Sequence, residues 1–508
     1  MAAIFWGANR VMKRISGFGA AWLVSLAGVW QAGPALADDP AAVTFNKDVA
    51  PILFARCAGC HRPGEVAPFA LLSYPDAAKR ASLLAEVTSS REMPPWKAEP
   101  DAGHFAGERR LTAAEIGTIR RWADTGATEG DASDLAPPPQ FTTGWQLGEP
   151  DLVVRMPEPY TLAATGADEY RCFVLPFQVP AGRYIRGVEF RPGNRKIVHH
   201  GVLTSMPHDQ ALARLAEGGG KSFLSGLAPP GRLLSGPLSI WTPGMEPHLL
   251  DGNLAATWPD GSDLVLQLHL HPSGKPEVEQ SVVGIYLTDQ KPTARLAMSV
   301  YSNNKIDIAP GQADFEVRTS RTLNAEATLF GVFPHMHLIG RSVRAEATLP
   351  DATKVPLITI NDWDFDWQYY YQYVTPVRLP AGTKVDVRWT YDNSAGNPAN
   401  PNHPPQRVAF GEQTADEMAF LVFDLIATGP APAPRAMTPE ALNRRASAAV
   451  KMLDKDNDGT LNEAELAAAP LGAMPPAEVK RRFAAADRNN DAKLDVAELV
   501  EVFKAMSR

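Results

Sequence analysis

Apolar residues change their spacing twice along this chain. Within Asn46–Arg56, Val49, Ile52 and Leu53 recur at helical spacing and predict a short helix. Thr112-Ala113-Ala114-Glu115 reads as a capping box opening a second helix, with Ile116, Ile119 and Trp122-Ala123 turned inward. From 141 to 428 the period falls to two, and strands and turns dominate. In the clearest case, Leu264, Leu266, Leu268 and Leu270 alternate with Val265, Gln267, His269 and His271, which puts both histidines on the face opposite the leucines. A helical tail follows at 437–508, the one region with an internal repeat. Proline-rich seams at 132–140 and 427–434 separate these regions.

The N-terminus predicts export. Arg10, Lys13 and Arg14 precede an apolar run from Ile15 to Trp30, and Ala35-Leu36-Ala37 forms a small-residue cleavage site before Asp38-Asp39. Residues 1–37 are therefore expected to be a signal peptide. The apolar run is shorter than the roughly 20 residues of a membrane span, and no later segment is long enough for one. The expectation is an exported protein, periplasmic in a bacterium, with no membrane span after cleavage.

The 508 residues correspond to three or four domains at about 150 residues each. With 45% hydrophobic and 21% charged residues the chain is globular. A net charge of −8 excludes a general nucleic-acid binder. The 45 prolines and 39 glycines favour β-rich domains over a large helical bundle. Three cysteines, Cys57, Cys60 and Cys172, cannot make a disulfide framework.

Two of those cysteines define a motif. Cys57-Ala58-Gly59-Cys60-His61 is a C-x-x-C-H, in which two thiols form thioethers to haem and the next histidine ligates the iron. A thioredoxin-like dithiol needs no such histidine and prefers a βα context, and a zinc site needs a second ligand pair nearby. Over 41–131 the segment resembles small class I c-type cytochromes. The resemblance implies an all-α domain holding one haem c, with a methionine as sixth ligand. Met93, in Glu92-Met93-Pro94-Pro95-Trp96, is the one methionine between Cys60 and the domain end; His104 is the alternative.

Six of the eleven histidines form three close pairs in the β region: His199-His200, His269 with His271, and His335 with His337. His-x-His on a strand puts two imidazoles on one face, a natural metal platform. His199 and His200 would point to opposite faces of a regular strand, so ligating one ion together requires a bend or different ring nitrogens. Imidazole suits zinc, copper, iron and nickel alike. A thioether would favour copper, and Met418 is a candidate; taken on its own it reads as an ordinary core methionine.

In chain order, Lys196-Ile197-Val198-His199-His200-Gly201, Leu266-Gln267-Leu268-His269, Phe333-Pro334-His335-Met336-His337-Leu338-Ile339-Gly340 and Asp416-Glu417-Met418 resemble the copper type II, ascorbate-dependent monooxygenases, the family of peptidylglycine and dopamine hydroxylases. The resemblance implies two all-β, jelly-roll-like sandwiches, at 141–290 and 291–428, each carrying one copper ion. It implies an electron-donating copper on His199, His200 and His269, and an oxygen-activating, catalytic copper on His335, His337 and Met418. His271 has no ligand counterpart in the animal enzymes. Three positions depart from the peptide-hydroxylating members: Phe333 replaces an arginine, and Phe420 and Val422 replace an asparagine and a tyrosine. The groups that grip a substrate carboxylate are thus apolar here, and Cys172 lacks the disulfide partner of the animal enzymes. The expected activity is hydroxylation of a C–H bond of a small or lipid-like apolar substrate by O2. Electrons would come from ascorbate or another donor, with the haem as a built-in relay. The alternative is a periplasmic copper-binding or electron-transfer protein without hydroxylase activity.

In the tail, Asp454 to Glu465 fits a calcium loop, with Asp454, Asp456, Asp458 and Glu465 as side-chain ligands, a carbonyl at Thr460 and Gly459 at the sharp turn. Asp487, Asn489, Asp491, Lys493 (by its carbonyl) and Glu498 outline a second loop. There Ala492 replaces the turn glycine, and weaker binding is expected. The tail resembles a paired EF-hand module binding Ca2+.

Overall fold

A computed structural model describes residues 43–142, 144–224, 239–250, 253–411, 413–428, 439–456, 458–467 and 476–505. The expected signal peptide, 1–37, lies outside them, as does most of the seam at 427–434. No helix among the described residues is long and apolar enough to cross a membrane.

The fold is mostly β, with helices towards the two ends and one, His208–Glu217, within the first β unit. In the first β unit a five-stranded antiparallel sheet is built around β1 (Glu169–Leu175), β2 (Val198–Pro207) and β3 (Ser262–Leu270), with β3 between the other two. A three-stranded sheet, Leu152–Arg155, Val282–Thr288 and Tyr184–Arg191, packs on its face. The leucines of β3 point between the two sheets and are fully buried, each contributing about 1.5–3 kcal/mol. The opposite face of β3 is covered too. Val265 packs with Cys172 and Ala211 beneath the helix His208–Glu217. Cys172 is thus a buried thiol in an apolar cluster, outside any disulfide.

The second β unit also has two facing antiparallel sheets. One contains β4 (Ala294–Asn303), β5 (Ala327–His335), β6 (Tyr371–Leu379) and β7 (Ala419–Thr428), in the order β4-β7-β5-β6. The other contains Phe315–Thr322, Lys384–Tyr391, Gly340–Thr348 and Lys354–Ile360. Their inner faces share one core, which includes the fully buried Trp389, Leu357 and Leu421.

The N-terminal segment winds through Phe45–Val49 into the helix Ala50–Arg56, then through Tyr74–Ala78, Ala81–Ser89 and Ala113–Asp124. The capping box forms: Thr112 Oγ1 accepts from the Glu115 amide, and the Glu115 carboxylate accepts from the Thr112 amide. Phe45, Val49, Leu53, Ile119 and Trp122 make a small core with no exposure. This unit is not self-contained. Trp96, Ala98 and Phe105 lie in the core of the second β unit. Trp96 packs edge-on to Tyr371 (5.2 Å), and Phe105 packs on Tyr371 and Tyr373. The backbone joins as well: the Ala106 amide donates to Gln372 O (2.8 Å) and the Val374 amide to His104 O (2.9 Å). The stretch around Phe105 thus runs along the edge of β6.

At the C-terminal end, Pro439–Leu453, Glu463–Ala467, Pro476–Ala486 and Val496–Ala505 surround a core with Ala446, Leu461, Phe483 and Leu494.

The shared core predicts that Trp96→Ala destabilises the whole chain, by about 3–5 kcal/mol for loss of a buried indole. Urea unfolding followed by far-UV circular dichroism should register that loss. A change below about 1 kcal/mol would mean that Trp96 is peripheral.

Candidate functional site

The first histidine cluster owes its shape to a slip in strand register. β2 and β3 pair Val198 with Leu270 but His200 with His269, so His199 is the extra residue of a bulge. The bulge supplies the bend that neighbouring histidines need to turn to the same side. The ring centroids of His199 and His200 lie 4.7 and 4.8 Å from that of His269. One donor nitrogen from each ring falls within 4.8 Å of the others. The Nδ1 atoms of His199 and His200 are 3.4 Å apart, within hydrogen-bond reach of each other.

Two buried nitrogens here, His199 Nε2 and His269 Nδ1, have no hydrogen-bond partner. His269 Nε2 donates to Asp168 Oδ2 at 2.8 Å. The proton therefore sits on Nε2, and the lone pair of Nδ1 is left for a ligand. Burial pushes all three imidazoles below their ordinary pKa, so they are neutral at pH 7. Asp168 also accepts from His271 Nδ1 at 2.7 Å. Burial opposes ionisation of Asp168, but the bonds from His269 and His271 hold its carboxyl well below the usual range. His271 is therefore tied to Asp168 rather than being part of the triad.

The second cluster sits where β5 ends. His335 is the last residue of β5 and His337 follows two positions on, while Met336 turns into the core with no exposure. The two imidazoles are perpendicular, 5.2 Å apart. His335 Nδ1 donates to Gln368 Oε1 (2.5 Å), whose orientation is set by Gln368 Nε2 donating to Phe365 O (3.1 Å). His337 Nδ1 donates to Asp416 O at 3.1 Å. Both protons are thereby held on Nδ1, and both Nε2 atoms keep their lone pairs. Burial takes His335 down to about 4 and His337 to about 3.

Met418 lies in the chain between two residues that contact this cluster. Phe420 pairs with His335 across β5 and β7, and Asp416 lies under His337, so Met418 is bracketed by both contacts. Glu417, fully buried, fastens the two segments. Its carboxylate accepts from the amides of His337 (2.9 Å), Ile339 (2.8 Å) and Met418 (3.2 Å). Burial raises its pKa to about 8 against the pull of those amides.

The two clusters meet. His200 and His335 have ring centroids 6.5 Å apart at a right angle. Phe365 stacks on His199 at 5.0 Å and meets His337 edge-on at 5.9 Å. Phe333 and Phe420 each lie 6.4 Å from the His335 ring.

Cys57, Cys60 and His61 lie together at the end of the helix Ala50–Arg56. His61 Nδ1 donates to Phe69 O (3.1 Å), which keeps the proton on Nδ1 and a lone pair on Nε2 that could serve a ligand. Burial pushes the Cys57 thiol up to about 12 and raises that of Cys60. A reactive dithiol needs the opposite shift, whereas two free thiols beside a histidine oriented in this way fit thioether attachment of haem. Arg109 bridges this motif to the β units, donating to Gly244 O (2.5 Å) and to the Tyr369 hydroxyl (3.1 Å), with its other nitrogen 3.9 Å from Cys60 Sγ. Gly244 has φ +79°, and a Cβ there would press within 3.2 Å of Arg109. Tyr369 adjoins Gln368, the partner of His335. The Met93 amide donates to Val87 O, and His104 is held at the edge of β6 by its carbonyl.

In the tail, carboxylate oxygens of Asp454, Asp456 and Asp458 lie within 4.8 Å of one another. Gly459 takes φ +83° and, in the second loop, Ala492 takes φ +64°. Glu465 and Glu498 fold back to accept backbone amides from the starts of their loops. Leu461 and Leu494 join the loops by two backbone hydrogen bonds. Lys493 Nζ reaches across to Asp458 (2.8 Å) and holds that carboxyl at about 2.

Sequence reasoning missed Asp168, Gln368, Arg109 and Tyr369, which stand at no fixed spacing from the residues they support. Glu417 left a trace, an acid beside Met418 at the head of an apolar strand.

No protein-family model matches the chain, and no curated protein matches it. Among solved structures, the major capsid protein P2 of bacteriophage PM2 aligns over 55% of this chain and 98% of its own, at 6% identity and a TM-score of 0.22. A two-domain protein of unknown function from Bacteroides fragilis aligns over 51% and 94%, at 10% identity and a TM-score of 0.14. An infectious bursal disease virus structure, Gx strain, aligns over 55% and 77%, at 9% identity and a TM-score of 0.14. Scores this low carry neither fold nor function across to this chain.

Proposed function

We propose that this chain is an exported haem- and copper-containing monooxygenase of the copper type II class, hydroxylating a C–H bond of an apolar substrate. The observation that carries the reading is the meeting of two histidine clusters, His200 to His335 at 6.5 Å, with lone-pair nitrogens buried and unpartnered. One cluster offers His199, His200 and His269. The other offers His335 and His337, with the Met418 thioether as the soft third donor. Copper held there would supply one-electron redox steps and activation of dioxygen. The overall change is R–H + O2 + 2 electrons + 2 protons giving R–OH + H2O.

The chain's own residues supply the rest. Gln368, the Asp416 carbonyl and Asp168 keep protons on the outer imidazole nitrogens. Phe333, Phe420 and Phe365 give the surroundings of His335 and His337 an apolar character suited to an apolar substrate. Haem on Cys57, Cys60 and His61, with Met93 as the expected sixth ligand, would store an electron from ascorbate or another one-electron donor. Arg109 and Tyr369 lead from Cys60 to Gln368 and so towards His335. The tail loops would hold Ca2+ in a structural role.

Metal and haem assays of the purified chain should find two coppers and one haem, and zinc in place of copper would overturn the reading. Met418→Ala should keep copper on the triad and lower product formation at least about 100-fold. Equal O2-coupled product from that variant would remove Met418 from the chemistry. Absence of product from the native chain with any apolar substrate, despite reversible copper reduction, would favour an electron-transfer protein.

Rapid mixing of reduced protein with O2 and substrate should oxidise the haem in step with turnover. Haem that stays reduced throughout rules out the relay.

Ala492→Gly should relieve about 1 kcal/mol of left-handed backbone cost. It should tighten Ca2+ binding at the second loop by about fivefold, read by calorimetric titration. Unchanged affinity would mean that the left-handed turn at Ala492 does not limit binding, and a single binding event in both proteins would mean that the second loop does not bind calcium.

A further inference from the structure

Resting on the reading of both histidine clusters as metal centres, we infer that Asp168 is a positioning residue for both at once. It lies just before β1, one residue beyond the pair Glu169–Leu270, and so opposite His271. Its side chain is 11% exposed. Three donors from two segments, the end of β3 and the turn before β7, converge on its carboxylate: His269 Nε2 (2.8 Å), His271 Nδ1 (2.7 Å) and the Thr414 hydroxyl (2.9 Å). Only an ionised carboxylate of this size accepts all three. Asparagine has one oxygen, and its amide would thrust an N–H at one of the donors.

Each contact has a consequence. The bond to His269 fixes which nitrogen faces His199 and His200, and that nitrogen, Nδ1, is the buried one without a partner. Tyr170, two residues on, stacks on the His269 ring at 4.3 Å and fixes its plane. The bond to Thr414 crosses from the first β unit to the second. Thr414 belongs to the turn closed by the Gln413 amide on Asp416 Oδ2 and by the Asp416 amide on Gln413 O. In the same turn the Asp416 carbonyl holds the proton of His337, and Met418 follows two residues later. A continuous path therefore runs from His269 through Asp168 and Thr414 to the support of His337. His271 serves as the third anchor that keeps the carboxylate in place, which accounts for a histidine outside the triad.

The test compares the full chain with Asp168→Asn and Thr414→Val. In metal-free protein labelled with 15N-histidine, the native chain should show His269 protonated at Nε2 and His337 at Nδ1. Asp168→Asn should change the His269 and His271 tautomer signals and lower Cu(I) affinity at the triad by about 10–100-fold. It should also alter the Cu(II) electron paramagnetic resonance signature of the second centre. Thr414→Val should leave the His269 signal and triad affinity native while shifting the His337 signal and the second centre's spectrum. Native histidine signals in Asp168→Asn would overturn the positioning role. A second centre indifferent to both variants would overturn the coupling. The histidine signals need no metal, so a chain that binds no copper sinks the monooxygenase reading and still leaves Asp168 tested.

Discussion

Five neutral imidazoles share one buried junction, and that burial is the constraint on which the rest of the structure turns. A buried nitrogen without a partner is costly, typically about 1–3 kcal/mol. The outer nitrogens are satisfied by Asp168, Gln368 and the Asp416 carbonyl. Among the inner ones, His199 Nε2 and His269 Nδ1 are left unsatisfied. Burial depresses the basicity of all five rings and leaves these lone pairs available to an acceptor such as a metal ion.

The β framework makes the junction precise. β3 runs through the middle of its sheet with both faces covered, so His269 cannot wander. The bulge at His199 turns two consecutive side chains to one side, which a regular strand forbids. In the second unit, Glu417 ties the His-x-His segment to the segment carrying Met418 through backbone amides. Neither arrangement depends on a disulfide, and Cys172 lies in a separate buried cluster.

The helical N-terminal segment is part of the same construction. Trp96 and Phe105 are core residues of the second β unit, and Arg109 spans Cys60, Gly244 and Tyr369. Arg195 pairs with Glu65 at 2.9 Å, four residues beyond His61 and four before His199. The C-x-x-C-H motif is thereby docked against the β units instead of swinging on a linker. Aromatic packing and a guanidinium with several acceptors make that docking directional.

The local features could be read from the chain because each depends on near neighbours. Alternation in Leu264–His271, the capping box at Thr112, the C-x-x-C-H spacing and the loop pattern from Asp454 are all of this kind. So are the histidine pairs, and the strain at Ala492 followed from one missing glycine. Other features arise between segments far apart in the chain. The bulge at His199 exists only against β3. Asp168 meets Thr414 from 246 positions away. Trp96 leaves a helical segment to fill a β core, and His200 comes within 6.5 Å of His335 only because two sandwiches abut. The sequence determined which groups could act as ligands, since that is a property of side chains and their spacing. Tertiary structure decided which nitrogen each histidine presents and what lies beside it, because long-range burial and hydrogen bonding assign the protons.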